Sequence, residues 1–263
     1  MTALHYRRCE VFARHGRQLF EQRLSQGGGN FGLGVLKMAV IALTSGMGTG
    51  VKYVAEQVAR RLGIELVHRE ICPAALAPVA ANLGPSESRW ETGLAWLHAA
   101  HYADGLSELE ALCRLAQRGN VLICGATPLH FFSDAANVTK IRIRTTMAVR
   151  VRRIMACMGT DEPDLALAKI LQSDRRQSET LLRMFGIDDF ENPQLYDCVI
   201  DTGREPAEAC AVQIAKLAVR QSAMAATSPW TVFETMAEQV RVARENLNES
   251  SNVAGVESRN RSS

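Results

Sequence analysis

Three glycines alternate in the run A-L-T-S-G-M-G-T-G-V-K-Y: Gly46, Gly48 and Gly50, with Lys52 two residues further on. Glycine lets backbone N–H groups approach a ligand closely, and a turn from a buried strand into a helix adds the partial positive charge of the helix N-terminus. The chemistry that suits this arrangement is the holding of phosphate. The run departs from the standard phosphate loop, G-x-x-x-x-G-K-[ST], in three places. Ser45 stands where the first glycine would be, Val51 occupies the lysine slot, and Lys52 comes one residue late, followed by Tyr53 instead of Ser or Thr. One helical step turns a side chain by about 100°, so Lys52 does not simply replace the missing lysine. By itself, the run also fits a tight glycine turn that binds nothing.

Cations are the second resource. All but five of the 30 basic residues are arginine, a bias that fits either genome composition or bidentate phosphate recognition. The block K-I-R-I-R-T-T-M-A-V-R-V-R-R (140–153) carries six cations and no acid. Half of it reads as a strand needed in a sheet, so a nucleic-acid groove is not the expectation. Arg175 and Arg183 lie eight residues apart, about two helical turns, and are expected to share one face, with Arg176 solvated off it. The seven cysteines are scattered without C-x-x-C spacing, which argues against a disulfide framework or a zinc knuckle. The histidines form no metal spacing either.

These residues must be positioned by something. The chain has 263 residues, 47% hydrophobic and 22% charged, enough for one full domain with appendages. No run of 18 apolar residues suggests a membrane span. The start, M-T-A-L-H-Y-R-R-C-E-V-F-A-R-H-G-R-Q, lacks a secretory apolar region, so a cytoplasmic protein is expected. Residues 1–25 read as a basic amphipathic helix for docking or homo-oligomerisation, and 26–34 (Q-G-G-G-N-F-G-L-G) as a linker. A domain over 35–221 then alternates strands (35–43, 64–67, 121–126, 139–145, 196–202) with helices. The helices are expected at 51–62, 107–119, 147–158, 161–184 and 206–220. Breaks at Pro73, Pro78 and Gly84-Pro85 interrupt a helical region before Ser107 and Glu110, which form a capping box. This order means an α/β fold, a parallel sheet covered by helices on both faces. A helical extension over 222–247 and a disordered tail at 248–263 follow.

The opening run, T-S-G-M-G-T-G-V-K-Y-V-A-E-Q-V-A-R-R-L-G-I-E-L-V-H-R-E-I, resembles that of the cytidylate kinase-like family, whose members often read S-R-E-x-G-S-G-G-R-E-I-A…L-G-I-P-F-Y-D-R-E-I. The likeness continues, in order, through V-L-I-C-G-A (121–126), R-V-R-R-I-M (150–155), S-D-R-R…L-L-R-M-F-G-I-D (173–188) and N-P-Q-L-Y-D-C-V-I-D-T-G-R (192–204). The last two blocks are the most specific. The resemblance implies a P-loop NTPase-like sheet of about five parallel strands, with an acceptor-binding insertion and an arginine-bearing lid. It implies ATP with Mg²⁺ and transfer of the γ-phosphate to a small phosphorylated acceptor such as CMP. Gly46, Gly48, Thr49, Gly50 and Val51 would hold the donor phosphates. Lys52, Arg175 and Arg183 would be catalytic, with Arg150, Arg153 and Asp174 also on the nucleotide and Arg69 on the acceptor. The family branch lacks the ordinary loop lysine and carries Arg one position later, where Lys52 stands.

Two departures keep a second function open. Cytidylate kinases carry Gly-Arg after the third core strand, the arginine gripping the acceptor phosphate; here Gly125 is followed by Ala126. The family's Asp-Arg-Glu after the second strand reads His68-Arg69-Glu70. The alternative to a phosphotransferase is therefore a catalytically impaired nucleotide-binding module for sensing or interaction.

Overall fold

A computed structural model of the chain describes residues 39–71, 88–224 and 231–260. The expected N-terminal helix (1–25) and linker (26–34) lie outside the described residues, as do the breaks between Pro73 and Pro85. Five strands, β1 (Val40–Ser45), β2 (Glu65–His68), β3 (Val121–Cys124), β4 (Val138–Arg144) and β5 (Cys198–Asp201), form one sheet in the order β2-β3-β1-β4-β5. Every pairing is parallel. β1 is central; the connection from β1 runs to β2 on one side and that from β3 to β4 on the other, which puts a crevice at the carboxyl ends of β1 and β3.

The strands show why both faces are covered. Val40 and Ala42 of β1, with Val121 and Ile123 of β3, enter one core; Ile41 and Leu43, with Leu122 and Cys124, enter the other. A period of two thus feeds two apolar layers. Helices α1 (Val51–Leu62) and α7 (Ala207–Met224) cover the second layer. α1 buries Val54, Ala55, Val58, Ala59 and Leu62 and stops at Gly63, whose φ of 67° is the left-handed conformation glycine accepts readily. The first layer takes α2 (Arg89–Ala99), α3 (Ala103–Arg118), the short α4 (Ala126–Phe131), the second half of α6 (Pro163–Phe185) and α8 (Thr231–Asn260). Helix α5 (Met147–Met158) buries only Arg150 and packs with the first half of α6 as a hairpin beside the sheet.

Three elements differ from the sequence expectation. The capping box at Ser107 is absent: α3 begins at Ala103, and the Ser107 hydroxyl donates to Ala103 O one turn back. The strand expected through Ala126 ends at Cys124, and Ala126 opens α4. The helix expected to end at residue 247 continues to Asn260, across residues expected to be disordered. It is also no loose appendage, since Phe233, Met236, Val240 and Leu247 are core residues.

Candidate functional site

The glycine turn sits where β1 meets α1. Gly48 and Gly50 have φ of 82° and 79°, and the buried Thr49 hydroxyl donates to Gly46 O at 3.0 Å. Gly50 is the N-cap of α1, with no side-chain cap and no acidic residue in the first turn. The first amides of this helix are thus left to a ligand or solvent. The back of the turn is pressed against α5: a Cβ on Gly48 would stand 2.9 Å from Arg150 O. Alanine there would meet both backbone strain and a backbone clash.

Arg150 and Arg153 hold this turn in place. Arg150 donates through Nε to Met47 O at 2.6 Å, and through its two terminal nitrogens to the two Asp174 oxygens at 2.8 and 2.6 Å. Arg153 donates to Thr49 O at 2.8 Å and to Thr202 Oγ1 and O, each at 3.0 Å. The Thr202 hydroxyl adds a 2.6 Å bond to Thr49 O. Carbonyls of the turn are therefore fastened to the α5–α6 hairpin and to the residue after β5.

Beside the turn opens a cavity of about 320 Å³. β1 and α1 contribute Leu43, Ser45 and Val51; the chain after β3 contributes Gly125 and Ala126; the end of β2 and the chain after it contribute His68 and Glu70. From α6 come Ser173, Arg176, Gln177 and Thr180, spaced i, i+3, i+4, i+7 on one helical face. Gln177 Nε2 reaches Thr44 Oγ1 at 3.3 Å, tying α6 to β1.

The expected residues divide on this geometry. Gly46, Gly48, Thr49, Gly50, Val51, Arg150, Arg153 and Asp174 come together at the turn. Arg175 does not line the cavity: its side chain is 82% exposed and pairs with Glu179 at 2.8 Å. Arg183 is exposed and does not line the cavity either. Their shared face is not the one α6 turns inward, whereas Arg176, expected to be solvated, lines the cavity. Lys52 is exposed at the start of α1, and its charge, after burial, helps hold the His68 pKa below the ordinary value. Arg69 pairs with Glu108 at 2.9 Å and lines an adjoining cavity of about 280 Å³ with Tyr102, Asp104 and Glu108. The Tyr53 hydroxyl donates to Glu208 Oε1 at 2.7 Å, so it faces α7.

Sequence reasoning missed Glu70. Its carboxylate accepts from Ala126 N at 2.8 Å through Oε2, and from Thr127 N and Oγ1 at 3.0 and 3.1 Å through Oε1. The residue is exposed toward the cavities but otherwise ringed by protein, and that burial raises its pKa against the lowering effect of the three bonds. Among the described residues, no cluster of three His, Cys, Asp or Glu side chains could hold a metal ion. None of the described helices is long and apolar enough to cross a membrane.

The profile of the Cytidylate kinase-like family matches residues 40–204, well over half of the chain. No curated protein matches it. Among solved structures, an uncharacterized protein from Eubacterium ventriosum ATCC 27560 is similar with a TM-score of 0.54 and 16% identity, over 69% of this chain and 98% of that one. The shikimate kinase of Acinetobacter baumannii in complex with shikimate has a TM-score of 0.39 and 15% identity over 70% and 94% of the two chains. A gluconokinase from Sinorhizobium meliloti 1021 has 0.38 and 13% over 73% and 95%.

Proposed function

The chain belongs to the cytidylate kinase-like family, and from that premise we propose that it is an ATP-dependent phosphotransferase acting on a small acceptor. One observation carries the reading. The uncapped, acid-free N-terminus of α1 follows a glycine turn and borders a cavity of about 320 Å³ that also holds a cation and a carboxylate. Phosphoryl transfer asks a protein mainly for positioning and neutralisation of charge. The backbone from Gly46 to Val51 supplies amides for the donor phosphates, and Arg150, Arg153 and Asp174 keep that backbone rigid. Arg176 faces the transferring group from α6 and Lys52 adds positive charge at the start of α1; Arg175 and Arg183, which do not line the cavity, take no part.

Mg²⁺ would neutralise oxygens of the donor phosphates. With no carboxylate cluster among the described residues and Tyr53 engaged by Glu208, the chain fits an ion that arrives on the nucleotide and keeps its waters. The chain's own part is to exclude water and hold the two reactants in line.

The resemblance implies CMP as acceptor, and it heads the panel that tests this reading. ATP is expected to raise the melting temperature by mass action, and an acceptor to stimulate ADP formation. Arg176→Ala is expected to lower kcat/KM about 100-fold, as loss of a preorganised charge does. A nucleotide-dependent melting shift with no turnover on any acceptor would instead favour the sensing module, to which the Arg150–Asp174 pair lends support by neutralising charge at the loop.

A further inference from the structure

We infer that Glu70 is the acceptor-binding carboxylate of this site, and that the acceptor offers it a neutral hydroxyl, not a phosphate. The inference rests on the phosphotransferase reading and narrows it to a substrate class. Its first support is placement. Arg69 N donates to Cys124 O at 3.0 Å, carrying the β2–β3 ladder one residue past β2. Glu70 then reaches over the end of β3 to Ala126 and Thr127. β3 pairs with β1, and neighbouring strands lie about 4.8 Å apart. The carboxylate thus stands at the end of the strand beside β1, and it lines the same cavity as Ser45, the end of β1 where the glycine turn begins.

The second support is the bonding. A carboxylate has about four acceptor positions. Oε1 uses two, on Thr127 N and Oγ1; Oε2 uses one, on Ala126 N. The Thr127 hydroxyl also accepts from Ile71 N at 2.8 Å, which fixes its own proton toward Glu70. Among the described residues one position remains, on Oε2, at a residue that lines the cavity. A hydroxyl donor fills it. A phosphate brought to the same spot would set like charges together, and no arginine follows Gly125 to offset them, because Ala126 stands there.

The step balances without another reactant. The acceptor hydroxyl gives its proton to Glu70 Oε2 as its oxygen bonds to the γ-phosphorus of ATP. The bond from that phosphorus to the bridging oxygen breaks, and ADP leaves with the electron pair. Burial raises the pKa of Glu70 against the pull of its three hydrogen bonds, and a carboxylate that holds a proton more readily than usual is the stronger base. The charged and titratable groups around Glu70 are His68 and Arg69 beside it, Cys124 on β3, Arg176 on α6, and Tyr102, Asp104 and Glu108 at and after the start of α3. Lys52 acts on His68 across the mouth.

Water, a neutral hydroxyl, is the probe acceptor, used with the full chain and saturating ATP. ATP affinity is measured beside phosphate release from pH 4.5 to 8. Glu70→Gln is expected to keep ATP affinity within threefold and to lower phosphate release about 100-fold, the usual worth of a general base. The parent is expected to lose activity toward acid, and His68→Asn to keep that acid limb. Should Glu70→Gln not fold, the parent and His68→Asn profiles decide the matter. Phosphate release within threefold of the parent in Glu70→Gln, a flat parent profile, or loss of the limb in His68→Asn overturns the assignment. So does bound ATP with no phosphate release, and so does rapid phosphorylation of CMP. Failure to bind ATP at all overturns the broader phosphotransferase reading instead.

Discussion

At the scale of single residues, the arginines near the turn are partners of the protein before they are partners of any ligand. Arg150 is 9% exposed and divides its donors between Met47 O and both oxygens of Asp174. Arg150→Ala would strand Asp174 and free the turn, so a loss of about 3 kcal/mol is expected, read as a lower urea midpoint. Arg150→Lys should recover less than half of it, because an ammonium does not span both carboxylate oxygens. The sequence singled out Arg150, Arg153 and Asp174 but not the turn carbonyls that the two arginines fasten, and it turned Arg175 and Arg183 inward instead of Arg176, since charge and spacing do not say which helix face turns inward. The clue was a polar interruption of an apolar stripe: Ile170, Leu181 and Met184 are buried on α6, and Ser173 and Gln177 fall between them on the same side. His130 gives a second test. It is fully buried beside Phe185 and Tyr196, its ring nitrogens unpaired among the described residues. Burial first, then Arg89 and Arg142, pushes its pKa from 6.5 to about 3. The folded pKa is the lower one, so the unfolded chain takes the proton first as pH falls. Stability from this group is complete above pH 6.5 and is lost at about 1.4 kcal/mol per pH unit down to about pH 3. His130→Leu should flatten that part of the melting-temperature profile, and an unchanged slope would refute the assignment.

At the scale of elements, periodicity was informative where an element had two different faces. α1 spans the residues that its spacing suggests, and the strands follow from apolar runs bounded by turns. α4 was not legible. All six of its residues, Ala126 to Phe131, are buried, so it has no polar face to mark a helical period, and it runs on from an equally buried strand. What starts it is long-range: Glu70, 56 residues away in sequence, caps its first two amides. Gly125 makes this approach possible, because a Cβ there would lie 1.9 Å from Arg69 O. Gly125→Ala is therefore expected to force the end of β2 away from β3 and carry Glu70 out of position. Melting temperature and phosphate release should both fall, whereas Gly159→Ala, whose Cβ would meet nothing within 4 Å, should cost only the roughly 1–2 kcal/mol of a left-handed backbone. Equal effects for the two variants would show that the contact with Arg69 O does not matter.

At the scale of the whole molecule, α8 decides where the domain ends. The polar tail composition suggested an appendage, but composition does not reveal that the outer faces of α2 and α3 are apolar and need a cover. Phe233 meets the Phe132 ring edge-on at 5.5 Å, Gln239 accepts from the Trp90 indole at 2.8 Å, and Arg244 pairs with the nearly buried Glu110 at 2.8 Å. Burying Phe233, Met236, Val240 and Leu247 contributes roughly 6–12 kcal/mol together, comparable with the roughly 5–15 kcal/mol by which a domain is stable at all. A chain ending at residue 230 is therefore expected not to fold, and to lose nucleotide binding with the fold. Phe233→Ala is the milder probe, with an expected loss of about 3–5 kcal/mol. If α8 and the sheet unfold as one unit, that variant will show a lower urea midpoint with an unchanged slope, and saturating ATP will still add stability by mass action. If α8 were a separate appendage, truncation at 230 would leave both the melting temperature and ATP affinity as they are, and that result would return the boundary of the domain to residue 221.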